Sequence, residues 1–145
     1  MENKIIVSSS PHLHDRSSVK YVMWNVVIAL LPALIAGIIH FGYKALTITI
    51  YSAVAAVVTE ALIQKFRKKE ITVNDGSAVL TGMLVAFNIH ADSPWWLGVV
   101  GSIFAISIGK HVFGGLGFNI VNPALLGRAF LLASWPTLVT SGLVP

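Results

Sequence analysis

The sequence predicts an all-α membrane protein, a polytopic helix bundle with about five membrane segments, two of them short or broken. Three observations carry that prediction. Hydrophobic residues make up 55% of the 145 and charged residues only 11%, with a mean hydropathy of +0.78, whereas soluble domains carry about 25% charged residues. The apolar residues fall into separate runs, and the longest approach the ~20 residues a helix needs to cross a bilayer. The lysines and arginines cluster beside those runs, so the net charge of +4 points to the lipid bilayer and not to nucleic acid. There is no cysteine. That excludes disulfides, a covalent c-type haem and a cysteine-ligated iron–sulfur cluster within these residues.

Residues 1–21 read as a polar cytoplasmic tail, serine-rich and extended around Pro11. No cleavable signal peptide is expected, because the apolar stretch that follows is long enough to span. Residues 22–145 read as the membrane domain. Its first segment, about 22–41, carries Pro32 at its middle, where a kink is expected. Ala29, Ala33 and Gly37 recur at four-residue spacing as a small-residue packing face. The second, about 45–63, is rich in alanine, valine and isoleucine and ends in the basic run KFRKKE, a topology determinant beside anionic lipids.

The third segment, about 76–90, is different. Its apolar part, Ala78 to Ile89, covers 12 residues, or about 18 Å of helix, too short for a ~30 Å hydrocarbon core unless its polar lead-in is buried too. The fourth, about 95–111, spans normally and presents Gly101, Ala105 and Gly109 as another packing stripe. The fifth, about 119–135, is short again. If the N-terminus is cytoplasmic, Lys4, Arg16, Lys20, Lys65, Arg67, Lys68, Lys69 and Lys110 fall on that side and Lys44 alone on the other, with Arg128 left out inside segment five. This bias sets the N-terminus inside and places Trp95, Trp96 and Trp135 as anchors at the outer interface.

The stretch from Gly109 to Pro136 is the most informative. Gly109, Gly114, Gly115 and Gly117 precede Asn119, Asn122 and Pro123, and a short apolar helix follows. Glycine permits positive φ and close backbone approach, asparagine bonds locally, and proline suits the first helical position. Such a stretch builds a broken helix inside a membrane protein, a common way of making ion and cofactor sites.

The strings DGSAVLTGMLVAFNIHADSPWW, GKHVFGGLGFNIVNPALLGRAF and LLASWP, with the N-terminal SSSPHLH, resemble the family of the Rnf complex D subunit and the B subunit of the sodium-translocating NADH:quinone oxidoreductase. The likeness covers essentially the whole chain, and the short tail before segment one favours the Rnf side. It implies a bundle similar to urea transporters and electron transfer between ferredoxin and NAD coupled to sodium or proton movement. It also implies partner subunits, membrane and peripheral, in the cytoplasmic (inner) membrane. Family members carry FMN attached through its phosphate to a threonine in an S-G-A-T type motif. Here the only SG is Ser141-Gly142, followed by Leu143 and Val144, so the attachment is carried over to no residue of this chain. Members are roughly twice as long, and the chain reads as the N-terminal half of such a subunit. A urea-transporter-like solute channel without redox function is the competing reading.

Four residues are candidates for cofactor or ion contact, with no catalytic residue and no metal site expected. Asp75, in Asp75-Gly76-Ser77, reads either as a group aimed at a ligand or as a plain N-cap. Asn119 and Asn122 either line the break before segment five or hold a loop together. Arg128 either pairs with an anionic cofactor or snorkels to the cytoplasmic headgroups. The Gly114–Gly117 run has neither Rossmann nor Walker spacing and reads as backbone packing. Glu60 is the one acid inside a spanning segment, hence a functional hypothesis, with interface pairing to Gln64 or Arg67 as the simpler account. Of His40, His90 and His111, only the first two share a side and could pair, and with no second histidine pair present a b-type haem is disfavoured.

Overall fold

A computed structural model describes residues 18–140, and all their regular structure is helical. Helix α1 (Val19–Phe41) starts where Ser18 Oγ accepts from Tyr21 N at 3.3 Å, an N-cap that satisfies one orphan donor. It continues through Pro32 and closes at Gly42, whose φ of 71° few other residues adopt. The same glycine opens α2 (Tyr43–Phe66), so one residue joins the two helices as a hairpin. These are the two helices among the described residues long and apolar enough to cross a membrane. Helix α1 leaves Ile28, Ile35 and Ile39 exposed, apolar surface suited to lipid or to further helices.

Helix α2 is the centre of the bundle, and it is turned inside out relative to a soluble helix. Ile48, Ser52, Ala56, Glu60 and Gln64, each four residues from the last, form its buried line. Leu46, Ile50, Val54, Val58 and Leu62 form its exposed one. Polar groups inside and apolar groups outside suit a helix whose solvent is hydrocarbon.

A 3-10 turn (Val73–Asp75) leads through Gly76, in the left-handed region at φ 79°, into α3 (Ser77–Phe87). The Trp24 indole of α1 closes over this entry, donating from Nε1 to Asn74 O at 3.1 Å. Helix α3 lies backbone-to-backbone on α2: a Cβ at Gly82 would stand 2.6 Å from Ser52 O. Helix α4 (Trp95–Phe104) presses on the same place, since a Cβ at Gly98 would overlap Ser52 Oγ. From Ala105 to His111 the chain continues without a break as a π-helix. Its wider winding runs on past the segment, with Val112 N bonding Ser107 O at 3.1 Å and Gly115 N bonding Lys110 O at 3.0 Å.

Helix α5 (Pro123–Ser134) is capped by Asn122, whose Oδ1 accepts from Ala124 N at 2.9 Å, with Pro123 at the first helical position. It packs along the Gly101–Ala105–Gly109 stripe. A Cβ at Gly127 would stand 2.8 Å from Gly101 O, and one at Gly109 would stand 2.9 Å from Pro123 Cα. A short α6 (Pro136–Thr140) follows, and Ser93 Oγ donates to Leu138 O at 2.8 Å beside it. Val85, Leu97, Ala105 and Leu131 are fully buried where α3, α4, the π-helix and α5 meet.

The two ends of the bundle differ. At one end lie the aromatic contacts Trp96–Trp135 and Tyr51–Trp95, with ring centroids 5.3 Å and 5.2 Å apart, and the exposed pair Lys44–Asp92 at 2.7 Å. At the other lie the basic residues that follow α2 and the end of the π-helix.

Candidate functional site

The basic end holds an ion pair inside the bundle. Lys110, on the π-helix, extends Nζ to within 2.6 Å of Glu60 Oε1 on α2, and the two side chains are only 3% and 1% exposed. A second donation from the same ammonium, also 2.6 Å, reaches Ser77 Oγ at the first turn of α3. Ser77 passes the contact on, its hydroxyl donating to Asp75 Oδ1 at 2.6 Å while its backbone N–H donates to the same oxygen at 2.8 Å. One lysine therefore stands between two carboxylates, touching Glu60 directly and Asp75 through a hydroxyl. Charge-assisted bonds of this length are the strong kind, and in a low-dielectric interior each partner is costly without the other.

Gln64 completes the α2 side. Its Nε2 donates to Glu60 Oε1 at 3.1 Å and to Thr72 Oγ1 at 2.9 Å, and its Oε1 accepts from Thr72 N at 2.9 Å. Glu60 Oε2, by contrast, is buried and has no hydrogen-bond partner among the described residues. Nor does His111 Nε2, next in sequence to Lys110. A cavity of about 350 Å³ lies here, lined by Glu60, Gln64, Lys69, Asp75, Lys110 and His111 among others. The backbone oxygen of His111 receives Arg67 Nη1 at 2.8 Å, which ties the end of α2 to the end of the π-helix.

Of the residues singled out from sequence, Asp75 and Glu60 come together here. Gly76, not Asp75, holds the N-cap position of α3; Asp75 Oδ1 accepts from the first helical N–H, at Ser77, and the same oxygen reaches the buried lysine through the Ser77 hydroxyl. Of the two partners expected for Glu60, Gln64 does bond it, whereas Arg67 turns to a carbonyl and Lys110 supplies the positive charge. Lys110 itself is not the cytoplasmic surface charge expected from its position. It is buried because the π-helix carries it against α2.

The other candidates lie elsewhere. Asn122 is committed to its cap. Asn119 is half-buried in the loop before it, and its Oδ1 has no partner among the described residues. Arg128 donates from Nη1 to Asn88 Oδ1 at 3.0 Å, joining mid-α5 to the C-terminal end of α3. It therefore reaches toward the Trp95 end of the bundle, not toward the basic end. Both residues line a mostly apolar cavity of about 370 Å³ near the Trp95 end. Gly114, Gly115 and Gly117 all have positive φ, and no atom lies within 4 Å of a Cβ built at Gly115 or Gly117. These two serve the path of an open loop, not close packing. Among the described residues no group of three or more His, Asp or Glu side chains is placed to hold a metal. Lys110 is the site residue that sequence alone does not single out, although a lysine beside two apolar segments and an acid inside one are the available signal; Gln64 and Ser77 are visible there only as neighbours of Glu60 and Asp75.

The model of the NQR2, RnfD, RnfE family matches residues 6–145. The chain belongs to that family. Among similar relatives, the D subunit of the Na(+)-translocating ferredoxin:NAD(+) oxidoreductase complex of Acetobacterium woodii is 57% identical over 140 residues, covering 97% of this chain and 44% of the relative. The D subunit of the proton-translocating complex of Clostridium ljungdahlii is 47% identical over 140 residues, covering 97% and 42%. The D subunit of an ion-translocating oxidoreductase complex of Escherichia coli is 40% identical over 141 residues, covering 96% and 40%. The chain thus spans less than half the length of these relatives. Its helices form a membrane bundle, and among the described residues the Lys110–Glu60 pair, with Ser77, Asp75 and Gln64, concentrates buried polar groups inside it.

Proposed function

We propose that this chain is the N-terminal part of a membrane subunit in an Rnf-type complex, which passes electrons between ferredoxin and NAD and couples them to sodium or proton translocation. The observation that supports this reading is likeness along nearly the whole chain, at 57%, 47% and 40% identity, to subunits named for that work. The same names favour a redox complex over a solute channel. Its partners are then the other membrane and peripheral subunits of the complex.

The membrane is the cytoplasmic one, with the basic end of the bundle inside. Lys20, Lys65, Arg67, Lys68 and Lys69 support that orientation against Lys44 at the opposite end. Lys110 no longer counts toward the bias, because it is neutralised inside the protein. Lys4 and Arg16 lie outside the described residues. A single cysteine placed at Lys68 tests the orientation directly, since the chain has none of its own. In sealed right-side-out vesicles it should resist a membrane-impermeant maleimide that labels a cysteine placed at Lys44.

FMN is the cofactor proposed for the full-length protein, where it would supply electron carriage. The chain's own residues fit it only as surroundings. Ser141-Gly142 lies outside the described residues and is not followed by a threonine. Of the candidate contacts, Asn122 and Arg128 are already committed within the protein, whereas Asn119 Oδ1 is uncommitted among the described residues.

The deciding experiment is purification of the complex containing the full-length subunit, reconstitution in liposomes, and assay of ferredoxin-dependent NAD reduction together with cation uptake. In-gel flavin fluorescence of the denatured subunit tests the cofactor. A complex that forms without this subunit and keeps both activities would sink the proposal.

A further inference from the structure

We propose that the apolar cavity near the Trp95 end binds an anionic phospholipid, with one acyl chain in the cavity and the phosphate on the Arg128 guanidinium. The inference is independent of the electron-transfer proposal, because it rests on the cavity alone. Three features point to it.

The first is a fixed cation with donors to spare. Arg128 lies in the middle of α5, exposed, and no carboxylate pairs with it among the described residues. Of the five N–H groups of an arginine, one donates here to Asn88 Oδ1 at 3.0 Å, and the rest have no acceptor among the described residues. Asn88 is itself held, since its Nδ2 donates to Leu84 O at 2.7 Å. The guanidinium is thus positioned without being satisfied. A charge inside a membrane bundle requires a counter-charge, and the planar fork of arginine matches phosphate oxygens in pairs.

The second is the character of the cavity. Its volume of about 370 Å³ falls within the range of small-molecule sites. The hydroxyls of Thr49 and Thr140 line it but are spent on carbonyls of their own helices, Ala45 O and Pro136 O. Ala33, Gly37, Ile48 and Leu132 are among its apolar walls, and a Cβ built at Gly37 meets no atom within 4 Å. No acidic residue lines it, so Arg128 is the one permanent charge on an apolar chamber. An amphiphile with a single anionic head fits that pattern. The cavity at the basic end is its opposite, lined by Glu60, Glu70 and Asp75, and repels an anion.

The third is depth. Gly82 packs on Ser52, and Asn88 lies six residues, about 9 Å, further along α3 toward the Trp95 end. Ser52 is nine residues, about 13 Å, from the first residue of α2 at that same end. The Arg128–Asn88 bond therefore sits about 4 Å inside the end of α2, beside the tryptophans that anchor a bilayer interface. A phosphate belongs at that level, and the acyl chain runs from it into the bundle. Basic pockets between membrane helices hold lipid headgroups in this way. A soluble phosphate ester offers the same oxygens, so it enters the test as a competitor.

The complex with the full-length subunit is reconstituted in phosphatidylcholine vesicles carrying trace spin-labelled phosphatidylglycerol, and the motionally restricted fraction is measured by electron paramagnetic resonance. Spin-labelled phosphatidylcholine with the same chains is the reference. The lysines at the basic end attract anionic lipid in the other leaflet, so the reading is the difference between each variant and the parent. Arg128→Gln should weaken the preference for phosphatidylglycerol at this site about tenfold, the worth of one charge-assisted contact. Gly37→Leu fills the chamber from α1, a helix with Val27 as its one buried residue among those described, and should abolish the same restricted population with Arg128 intact. That variant carries the test if Arg128→Gln fails to assemble. Loss in Arg128→Gln but not in Gly37→Leu would mean a surface headgroup contact and overturn the cavity site. Loss in Gly37→Leu but not in Arg128→Gln would overturn the phosphate contact. Release of the lipid from the parent by inorganic phosphate or free FMN would make a soluble phosphate the occupant, and no change in either variant would refute the site altogether.

Discussion

Ser52 and Glu60 stand on the same buried line of α2, eight residues and about 12 Å of helix apart, yet the bundle treats them oppositely. At Ser52 the facing residues are Gly82 and Gly98, and backbone meets side chain with no room between them. At Glu60 the facing residues are Ser77 and Lys110, long or polar groups that reach inward and leave a cavity beside them. The helix is continuous through both levels. What differs is the side chain presented by its neighbours, and this alone turns one level into a seal and the other into a site. In hydrocarbon there is little hydrophobic force between helices, so small residues for close packing and polar residues for bonding are the two available means of association. This bundle uses each at a different depth.

The sharpest way to break the comparison is at the polar level. Lys110→Met leaves Glu60 without its counter-charge, with only the Gln64 amide to bond it, and removing one member of a buried pair costs about 3–5 kcal/mol. The full-length protein in detergent should show a large fall in its thermal unfolding midpoint. The double variant Glu60→Met/Lys110→Met should recover most of the loss, since apolar replacement of a whole pair is often neutral or better. Equal stability of the single variant and the parent would mean that Glu60 is not held in isolation.

Next comes the sealed level. Gly82→Ala forces a methyl group against the α2 backbone, a form of overpacking that costs about 1–3 kcal/mol. Size-exclusion chromatography after mild heating should show earlier loss of the folded peak, and Gly37→Ala, where the space is open, should show none. Smaller still is the cap of α5. Asn122→Ala removes the acceptor for Ala124 N and should cost about 1 kcal/mol, visible as faster amide exchange in the first turn of α5.

The smallest effect lies outside both levels, in the exposed pair Lys44–Asp92. The lysine ammonium beside Asp92 holds its carboxyl below the usual carboxylate range. A lowered folded-state value means that the contribution is present above the unfolded value and lost as pH falls through the folded one. Asp92→Asn should therefore leave stability at neutral pH within error and slightly flatten its decline in acid, because exposed pairs are worth little.

Much of the architecture is legible in the sequence because a bilayer imposes it. Charge content, run length and the placement of lysines speak directly to a membrane bundle, and the Gly101–Ala105–Gly109 stripe indeed faces another helix. Asp75 is visible as a group at the start of α3, although Gly76 takes the N-cap position and Asp75 bonds the first helical N–H from one residue earlier. The link from Asp75 to a buried lysine is not visible. Lys110 lies 50 residues from Glu60, and a lysine at the end of an apolar run looks like any topology charge. Its burial follows from tertiary packing and from a helix winding that residue types do not announce. Arg128 is hidden similarly: its partner Asn88 comes from a helix 40 residues away, and only the packed bundle brings them together.

The π-helix from Ala105 to His111 carries a consequence for how this chain tolerates insertion and deletion. Hydrogen bonding to the fifth residue back accommodates more residues per turn than ordinary winding, so the stretch behaves as a phase shifter within one continuous rod. In an α-helix each residue turns the rod by about 100°. Return of the same residues to regular winding would turn Lys110 well away from Glu60, whereas loss of one residue between Ala105 and Gly109 would relieve the wide turn and leave its phase nearly unchanged; the Gly98 and Gly101 contacts upstream would stay in place either way. The site and the seal are thus set by independent phases of the same helix, and one can be mistuned without disturbing the other.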